Sequence, residues 1–140
     1  MTPAVPRRAL VIGTGLIGGS IGLALRREGW HVTGRDRNEA SAARALALGA
    51  LDAVGHDADA EVTFVATPVG AVRDQVAEML ATTSGLVTDV GSVKSPMLDL
   101  MDDPRYVGGH PMAGSELEGV DGARADLFEG ATWVLTPVPG

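Results

Sequence analysis

The sequence predicts an α/β fold in which a mainly parallel, doubly wound sheet carries helices on both faces. Three observations favour this class. Short apolar runs alternate along the chain with segments of helical spacing. One such run, residues 62–67, is almost entirely β-branched and apolar, which is typical of a parallel strand covered on both faces. A glycine-rich turn lies between the first run and the first helical segment, as expected where a strand passes into a helix of a parallel sheet.

The first half of the chain supplies strands and helices in regular order. An apolar run at 9–12 ends at Gly13 and predicts the first strand, and helical spacing at 16–28 predicts the first helix. Residues 31–34 predict the second strand, and Asn38 and Gly49 are suited to begin and end a helix at 38–48. A short strand is predicted at 50–54. The buried strand at 62–67 and a helix at 71–80 follow it.

The second half continues this pattern less regularly. Residues 86–89 predict the next buried strand, and Pro96 suits the first turn of a helix at 96–101. A short strand is predicted at 106–108 and a last strand at 131–136. Between them, 109–128 is predicted as a glycine-rich loop with at most one helix.

Length and composition predict one globular domain and exclude several kinds of function. Of 140 residues, 45% are apolar and 21% are charged, which is typical of a chain with its own core. A net charge of −7 is the wrong sign for binding nucleic acid. Cysteine is absent, so we expect no disulfide, predict no metal site, and place the protein in the cytoplasm. Glycines interrupt the N-terminal apolar stretch, so neither a membrane span nor an export signal is expected.

Positive charge is concentrated at the start of the chain. Residues 1–50 contain seven arginines and three carboxylates, whereas the remainder contains four basic and fifteen acidic residues. The first third is therefore the predicted anion-binding region.

The turn after the first strand reads Gly13-Thr14-Gly15-Leu16-Ile17-Gly18, a GxGxxG motif. In a Rossmann-type fold the first glycine permits a tight turn, the second lets a pyrophosphate approach the backbone, and the third lets helix and strand pack closely. Unpaired N–H groups at the helix start, where Leu16 and Ile17 lie, favour the phosphates. The alternative is an ordinary glycine-rich turn. The strand, the helix and an acidic residue 18 positions after the last glycine favour a dinucleotide site.

That acidic residue, Asp36, indicates which dinucleotide is bound. A carboxylate at this position can accept hydrogen bonds from the adenosine ribose hydroxyls and would repel a 2′-phosphate, which favours NAD over NADP. Arg35 and Arg37 flank it. A guanidinium there could hold the extra phosphate, stack on adenine, or form surface salt bridges, and these alternatives stay open.

Three further segments follow predicted strands: 66–69 (ATPV), 88–94 (TDVGSVK) and 107–116 (VGGHPMAGSE). In an open α/β sheet this edge is where ligands lie. Together with the glycine motif, these segments closely resemble the nucleotide-binding domain of prephenate dehydrogenases and their arogenate dehydrogenase relatives. The glycine motif is shared by many families, whereas GSVK followed by GGHPMAGSE is specific to this one. The resemblance extends over essentially the whole chain.

The resemblance implies NAD-linked oxidation of a ring alcohol with loss of the ring carboxylate. It assigns His110 the catalytic contact with the substrate hydroxyl, places Ser92 near that hydroxyl, and puts Glu116 in the active-site network. A neutral imidazole suits the role of proton acceptor, and Pro111 favours an extended backbone at His110. Ser92 could instead cap a helix and Glu116 could be a helix-start carboxylate. The cofactor-lining positions that the resemblance implies are Thr67, Pro68, Gly91 and Ser92.

Members of this family continue into a helical domain that forms a homodimer and supplies an arginine for the substrate carboxylate. We therefore expect residues 1–140 to be the cofactor-binding domain alone, which binds dinucleotide and turns over little substrate. Within this family the substrate is prephenate or arogenate. The alternative enzyme is another two-domain dehydrogenase, which would act on a hydroxy acid. A dinucleotide sensor without catalysis is the alternative of another class.

Overall fold

The computed structural model describes residues 5–90, 100, 102–112, 123, 125 and 132–136. Its strands are β1 (Arg8–Ile12), β2 (His31–Arg35), β3 (Ala53–Val54), β4 (Val62–Val65), β5 (Leu86–Asp89), β6 (Tyr106–Met112) and β7 (Thr132–Thr136). Its helices are α1 (Leu16–Arg27), α2 (Glu39–Ala47) and α3 (Val69–Thr82).

The strands form one sheet in the order β3-β2-β1-β4-β5-β6-β7. Every pairing from β3 to β6 is parallel, and β6 and β7 pair antiparallel. The chain runs from β1 outward to β3, then returns to the other side of β1 with β4. The strand order therefore reverses between β1 and β4, the point where open α/β sheets bind ligands. The predicted Rossmann-type, mainly parallel fold is confirmed.

Helices cover both faces of the sheet because successive residues of a strand point to opposite sides. On one face α3 packs over Leu10 and Ile12, and on the other α1 and α2 pack over Val11. These three side chains are buried. Arg35 pairs in register with Ile12, so Arg35 lies on the α3 face. This alternation decides which side chains meet at the end of the sheet.

The residues that predicted the start and the end of α2 have those roles in the structure. The Asn38 side chain accepts hydrogen bonds from the backbone N–H groups of Ala40 and Ser41, at 3.0 and 3.2 Å. Beyond the helix, Gly49 has a φ of +85°, which glycine adopts without steric cost. Among the described residues, no helix combines the length and the apolar character needed to cross a membrane.

Several predicted boundaries are wrong. The strand predicted at 106–108 extends to Met112, so 109–112 is not loop. β5 ends opposite Gly108, and beyond it β6 pairs only with β7. Among the described residues, no strand pairs with the other side of β6 at Pro111, and a residue without an N–H group is tolerated at such a position. β4 stops at Val65 and α3 runs from 69 to 82. Of the helix predicted at 96–101, only residue 100 is described.

Candidate functional site: a cleft at the reversal of strand order

The glycine turn closes tightly between β1 and α1. Gly13 has a φ of +95°, and a Cβ on it would lie 2.5 Å from the carbonyl oxygen of Ala66. A Cβ on Gly18 would overlap the carbonyl oxygen of Gly13 and lie 3.2 Å from Cγ1 of Val11. Gly15 differs, because a Cβ there would meet nothing within 4 Å. Gly13 and Gly18 are thus required by the packing of the turn itself, whereas Gly15 borders the open space of the cleft.

The start of α1 provides backbone donors to the cleft. Gly15 is the N-cap, no side chain of the described residues caps the helix, and the first turn contains no acidic residue. Leu16 and Ile17 line the cavity beside it. A helix start without a side-chain acceptor carries free N–H groups and a partial positive charge, which suits an anion such as a pyrophosphate.

Asp36 is bound to the glycine turn. Its Oδ2 accepts hydrogen bonds from the N–H and the hydroxyl of Thr14, at 2.8 and 3.1 Å. Its Oδ1 accepts one from the N–H of Asn38 at 2.8 Å. Two carboxylate oxygens offer about four acceptor positions, so Oδ1 retains one for a ribose hydroxyl. Sequence reasoning missed Thr14, which is fully buried; its hydroxyl within the glycine turn was the available signal.

A cavity of about 780 Å³ opens above the carboxyl ends of β1, β2 and β4. It is lined by the glycine turn and, from neighbouring segments, by Asp36, Arg37, Thr67 and Pro68. The structure thus brings together most of the cofactor-lining residues that the sequence indicates. Gly18 is not among the lining residues, because it packs beneath the turn. Among the described residues, no group of three or more His, Asp or Glu is placed to hold a metal ion.

Two buried polar atoms at this cavity lack partners. The hydroxyl of Thr67 and Oε1 of Gln75 make no hydrogen bond with the described residues, and both residues line the cavity. Buried polar atoms are rarely left unpaired in folded proteins. A ligand with several hydroxyl and amino groups would satisfy them, so these residues fit a dinucleotide. No motif in the sequence points to Gln75, because a single glutamine within a helix has no distinctive pattern.

The two arginines beside Asp36 have different surroundings. Arg35 forms an ion pair with Glu78 of α3, across the face that they share. Arg37 is exposed, lines the cavity and has no ion pair with the described residues. Of the alternatives that the sequence left open, a salt bridge therefore applies to Arg35. Arg37 faces any ligand in the cavity.

The residues that the resemblance makes catalytic are described only in part. His110 lies in β6 opposite Val134, two positions beyond Gly108, the last residue to pair with β5. Its backbone is extended, as Pro111 predicted. It lies past the carboxyl end of β5, at the same edge of the sheet at which the cavity opens. Gly91, Ser92 and Glu116 lie outside the described residues.

A buried pair joins β5 to β6 directly below this edge. The hydroxyl of Tyr106 donates a hydrogen bond of 2.7 Å to Oδ1 of Asp89, and both residues are fully buried. Asp89 pairs in register with Gly108, two residues after Tyr106 in β6. Burial, the hydrogen bond to Asp89 and the negative charge of Asp89 raise the pKa of Tyr106 above its ordinary value.

Tyr106→Phe is expected to lower the free energy of unfolding by about 1–3 kcal/mol at neutral pH, because the buried carboxylate loses a donor. Above pH 10 the unfolded chain releases the phenolic proton while the folded chain keeps it. Wild-type stability should then fall relative to Tyr106→Phe by about 1.4 kcal/mol per pH unit. Urea unfolding from pH 7 to 11 measures both effects.

The chain has one tyrosine, so ultraviolet absorbance of the phenolate reports Tyr106 alone. In Asp89→Asn the pKa of Tyr106 should lie below its wild-type value, because a neutral amide disfavours the phenolate less than a carboxylate does. A folded wild-type chain whose phenol titrates at its ordinary pH would contradict the pairing.

Comparison with known proteins identifies the family. A profile of the prephenate dehydrogenase nucleotide-binding domain matches residues 21–139, which includes the segments around Ser92 and His110. The chain belongs to this family. It is 39% identical to a prephenate dehydrogenase of Bacillus subtilis, over 91% of this chain and 38% of that protein. With the Lactococcus lactis prephenate dehydrogenase the identity is 33%, over 93% of this chain and 41% of that protein. The chain thus spans about two fifths of these family members.

Solved structures of the family share the fold. Aquifex aeolicus prephenate dehydrogenase, in complex with hydroxyphenyl propionate and NAD⁺, superposes with a TM-score of 0.85 at 32% identity, covering 97% of this chain and 52% of that one. Synechocystis arogenate dehydrogenase superposes with a TM-score of 0.83 at 34% identity, covering 93% of this chain and 50% of that one. The matched halves of these chains have the same architecture as the sheet and helices described above.

Proposed function

We propose that this chain is the NAD-binding part of an enzyme that converts prephenate to 4-hydroxyphenylpyruvate by oxidation and decarboxylation. The observation that carries the proposal is the cavity at the reversal of strand order, in a chain of this family. The helix start suits the pyrophosphate, and Asp36 has an acceptor position left for a ribose hydroxyl. The orphaned atoms of Thr67 and Gln75 suit further polar groups of the dinucleotide.

NAD, when bound, supplies the carbon that accepts the hydride. We assign His110 the removal of the proton from the substrate's 4-hydroxyl, which a neutral imidazole can accept. Ser92 is assigned to the same hydroxyl and Glu116 to the network around it. The family resemblance of these segments supports the three roles, as does the position of His110 past the end of β5. The ring carboxylate leaves as carbon dioxide, and the ring becomes aromatic.

Substrate selection and assembly are proposed to involve a second, helical domain, as in the family. We infer that this domain supplies the arginine for the substrate carboxylate and the surface of a homodimer. Residues 1–140 alone should then bind NAD and turn over little prephenate. For the compartment we propose the cytoplasm, since the chain has no cysteine to oxidise.

The proposed activity is tested by mixing the full-length protein with prephenate and NAD and following NADH by absorbance. We expect NADH and 4-hydroxyphenylpyruvate to form in equal amounts. Arogenate in place of prephenate separates the two substrate classes, because the family contains an arogenate dehydrogenase. Binding of NAD without NADH formation from either substrate would favour the sensor and overturn the proposal.

The preference for NAD is tested at Asp36. Calorimetry on the wild-type chain should show tighter binding of NAD than of NADP, because the carboxylate repels a 2′-phosphate. In Asp36→Ala the dissociation constant of NADP divided by that of NAD should fall by about tenfold or more, since hydrogen bonds to charged groups contribute about 1.5–3 kcal/mol. Equal affinities in the wild type would overturn the proposed preference for NAD.

A further inference from the structure

Arg35 and Glu78 form an ion pair at the wall of the cofactor cavity. Nη2 of Arg35 contacts Oε2 of Glu78, and the two side chains are 33% and 49% exposed. Both residues line the cavity, so a ligand in the cavity has access to them. An exposed ion pair of this kind contributes little to the stability of a fold. Its main consequence is therefore for the charge and the free N–H groups that Arg35 presents to a ligand.

Arg35 lies next to the place proposed for the adenosine ribose. It directly precedes Asp36, and its carbonyl oxygen accepts a hydrogen bond of 2.9 Å from the N–H of Gly13. The backbone of Arg35 is thus held against the glycine turn. A phosphate on the 2′-hydroxyl of a ribose at Asp36 would lie beside this residue, and a planar guanidinium can bind a phosphate with two parallel hydrogen bonds. Arg35 therefore has the position and the chemistry to bind that phosphate.

Glu78 opposes this use of Arg35 in two ways. Its carboxylate occupies a guanidinium nitrogen that a phosphate would otherwise contact, and its negative charge repels a phosphate nearby. Asp36 and Arg37 line the same cavity, so this end of the cavity has two arginines and two carboxylates and their charges cancel. Without the charge of Glu78, the same group of side chains would be positive and would favour an additional phosphate.

We propose that Glu78 is a specificity-determining residue for the coenzyme, because its ion pair keeps Arg35 from binding a 2′-phosphate on the adenosine ribose. This inference rests on the proposed binding of NAD. Asp36 disfavours the phosphate by direct repulsion, and Glu78 adds to this by withholding an arginine. Arg37 has no ion pair with the described residues. Its contribution to the binding of NADP does not depend on Glu78, so it stays the same in the variants described below.

The test measures the dissociation constants of NAD and NADP by calorimetry on the 140-residue chain, at one ionic strength because salt screens contacts between charges. The wild type should bind NAD more tightly. In Glu78→Gln the dissociation constant of NADP should fall by about tenfold, equivalent to about 1.4 kcal/mol, while that of NAD stays within about twofold. In the background of Arg35→Gln the same substitution should lower it by about threefold at most, because only the repulsion by Glu78 is then relieved.

Asp74→Asn is the matched control, because it removes one negative charge from the same helix. The side chain of Asp74 is 85% exposed, and Asp74 is not one of the described residues that line the cavity. Both dissociation constants should therefore stay at their wild-type values. A gain in NADP binding as large as that of Glu78→Gln would show that any lost carboxylate of α3 has this effect, and the inference would be wrong.

The remaining outcomes separate the inference from its foundation. If the wild type binds neither dinucleotide, the proposed cofactor role fails. If the wild type prefers NAD but Glu78→Gln leaves the affinity for NADP unchanged, Glu78 does not select the coenzyme, while NAD binding stands. An equal gain with and without Arg35 would show that Glu78 acts by its charge alone, which overturns the role of the ion pair. Should Glu78→Gln not fold by circular dichroism, Glu78→Ala replaces it with the same expectation.

Discussion

His110→Asn in the full-length protein is expected to lower kcat for prephenate by about 100- to 10,000-fold, the range that general acid–base catalysis contributes. Asparagine keeps a polar side chain at this position but cannot accept a proton at neutral pH. The substitution lies in a strand that extends past β5, so the sheet pairing should persist. NADH formation under saturating NAD and prephenate measures kcat, and calorimetry measures NAD binding, which should change little.

The control for this substitution is His31→Asn. His31 lies at the start of β2, at the opposite edge of the sheet from the cavity. Its substitution should change the free energy of unfolding by no more than about 0.5 kcal/mol and leave kcat at its wild-type value. If His110→Asn keeps wild-type kcat, the assignment of His110 as proton acceptor is wrong. If NADH formation is lost together with NAD binding, His110 supports the cofactor site rather than the proton transfer.

Gly18→Ala is expected to lower the free energy of unfolding by about 3 kcal/mol, at the upper end of the cost of overpacking. The added methyl group would overlap the carbonyl oxygen of Gly13. That oxygen belongs to a turn that packs closely against the backbone of Ala66 on one side and is hydrogen-bonded through Thr14 to Asp36 on the other. The turn therefore cannot shift away from the added methyl group unless β4 and the end of β2 also move. Urea unfolding followed by tryptophan fluorescence measures the loss.

Gly15→Ala separates binding from folding within the same motif. A methyl group on Gly15 meets no protein atom within 4 Å, so the free energy of unfolding should stay within about 0.5 kcal/mol of wild type. The methyl group projects into the space proposed for the pyrophosphate, and NAD affinity should fall by about tenfold or more, equivalent to about 1.4 kcal/mol. Gly70→Ala, at an exposed and unhindered position of α3, should change neither quantity. Equal stability of Gly18→Ala and Gly15→Ala would contradict the packing described here.

The sequence predicted those parts of the fold that depend on local patterns. The apolar runs, the helical spacing of α1 and the capping by Asn38 are properties of neighbouring residues, and each appears in the structure. The glycine turn and Asp36 were found because the spacing of a motif specifies them. The extent of β6 was missed, since Gly108 and Gly109 indicate a loop unless β7 is known to lie alongside.

The missed parts of the site depend on contacts between distant segments. Thr14 and Asp36 meet only because β1 and β2 are neighbours in the sheet. Gln75 and the pair of Arg35 with Glu78 come together because the period of two in β2 turns Arg35 towards α3. A single sequence specifies neither the strand order nor the helix rotation that produces these contacts.

The hydrogen bonds between Asp36 and Thr14 bear on any attempt to redesign this protein for a different coenzyme. Exchanging the acid for a small neutral residue, the usual first step towards accepting a phosphorylated ribose, would also release the amide and hydroxyl of Thr14. A redesign would need to retain an oxygen atom at that spot, for instance with Asp36→Ser or Asp36→Asn. Coenzyme choice and the rigidity of the phosphate-binding backbone are thus tied to one side chain, and selection on either property constrains the other.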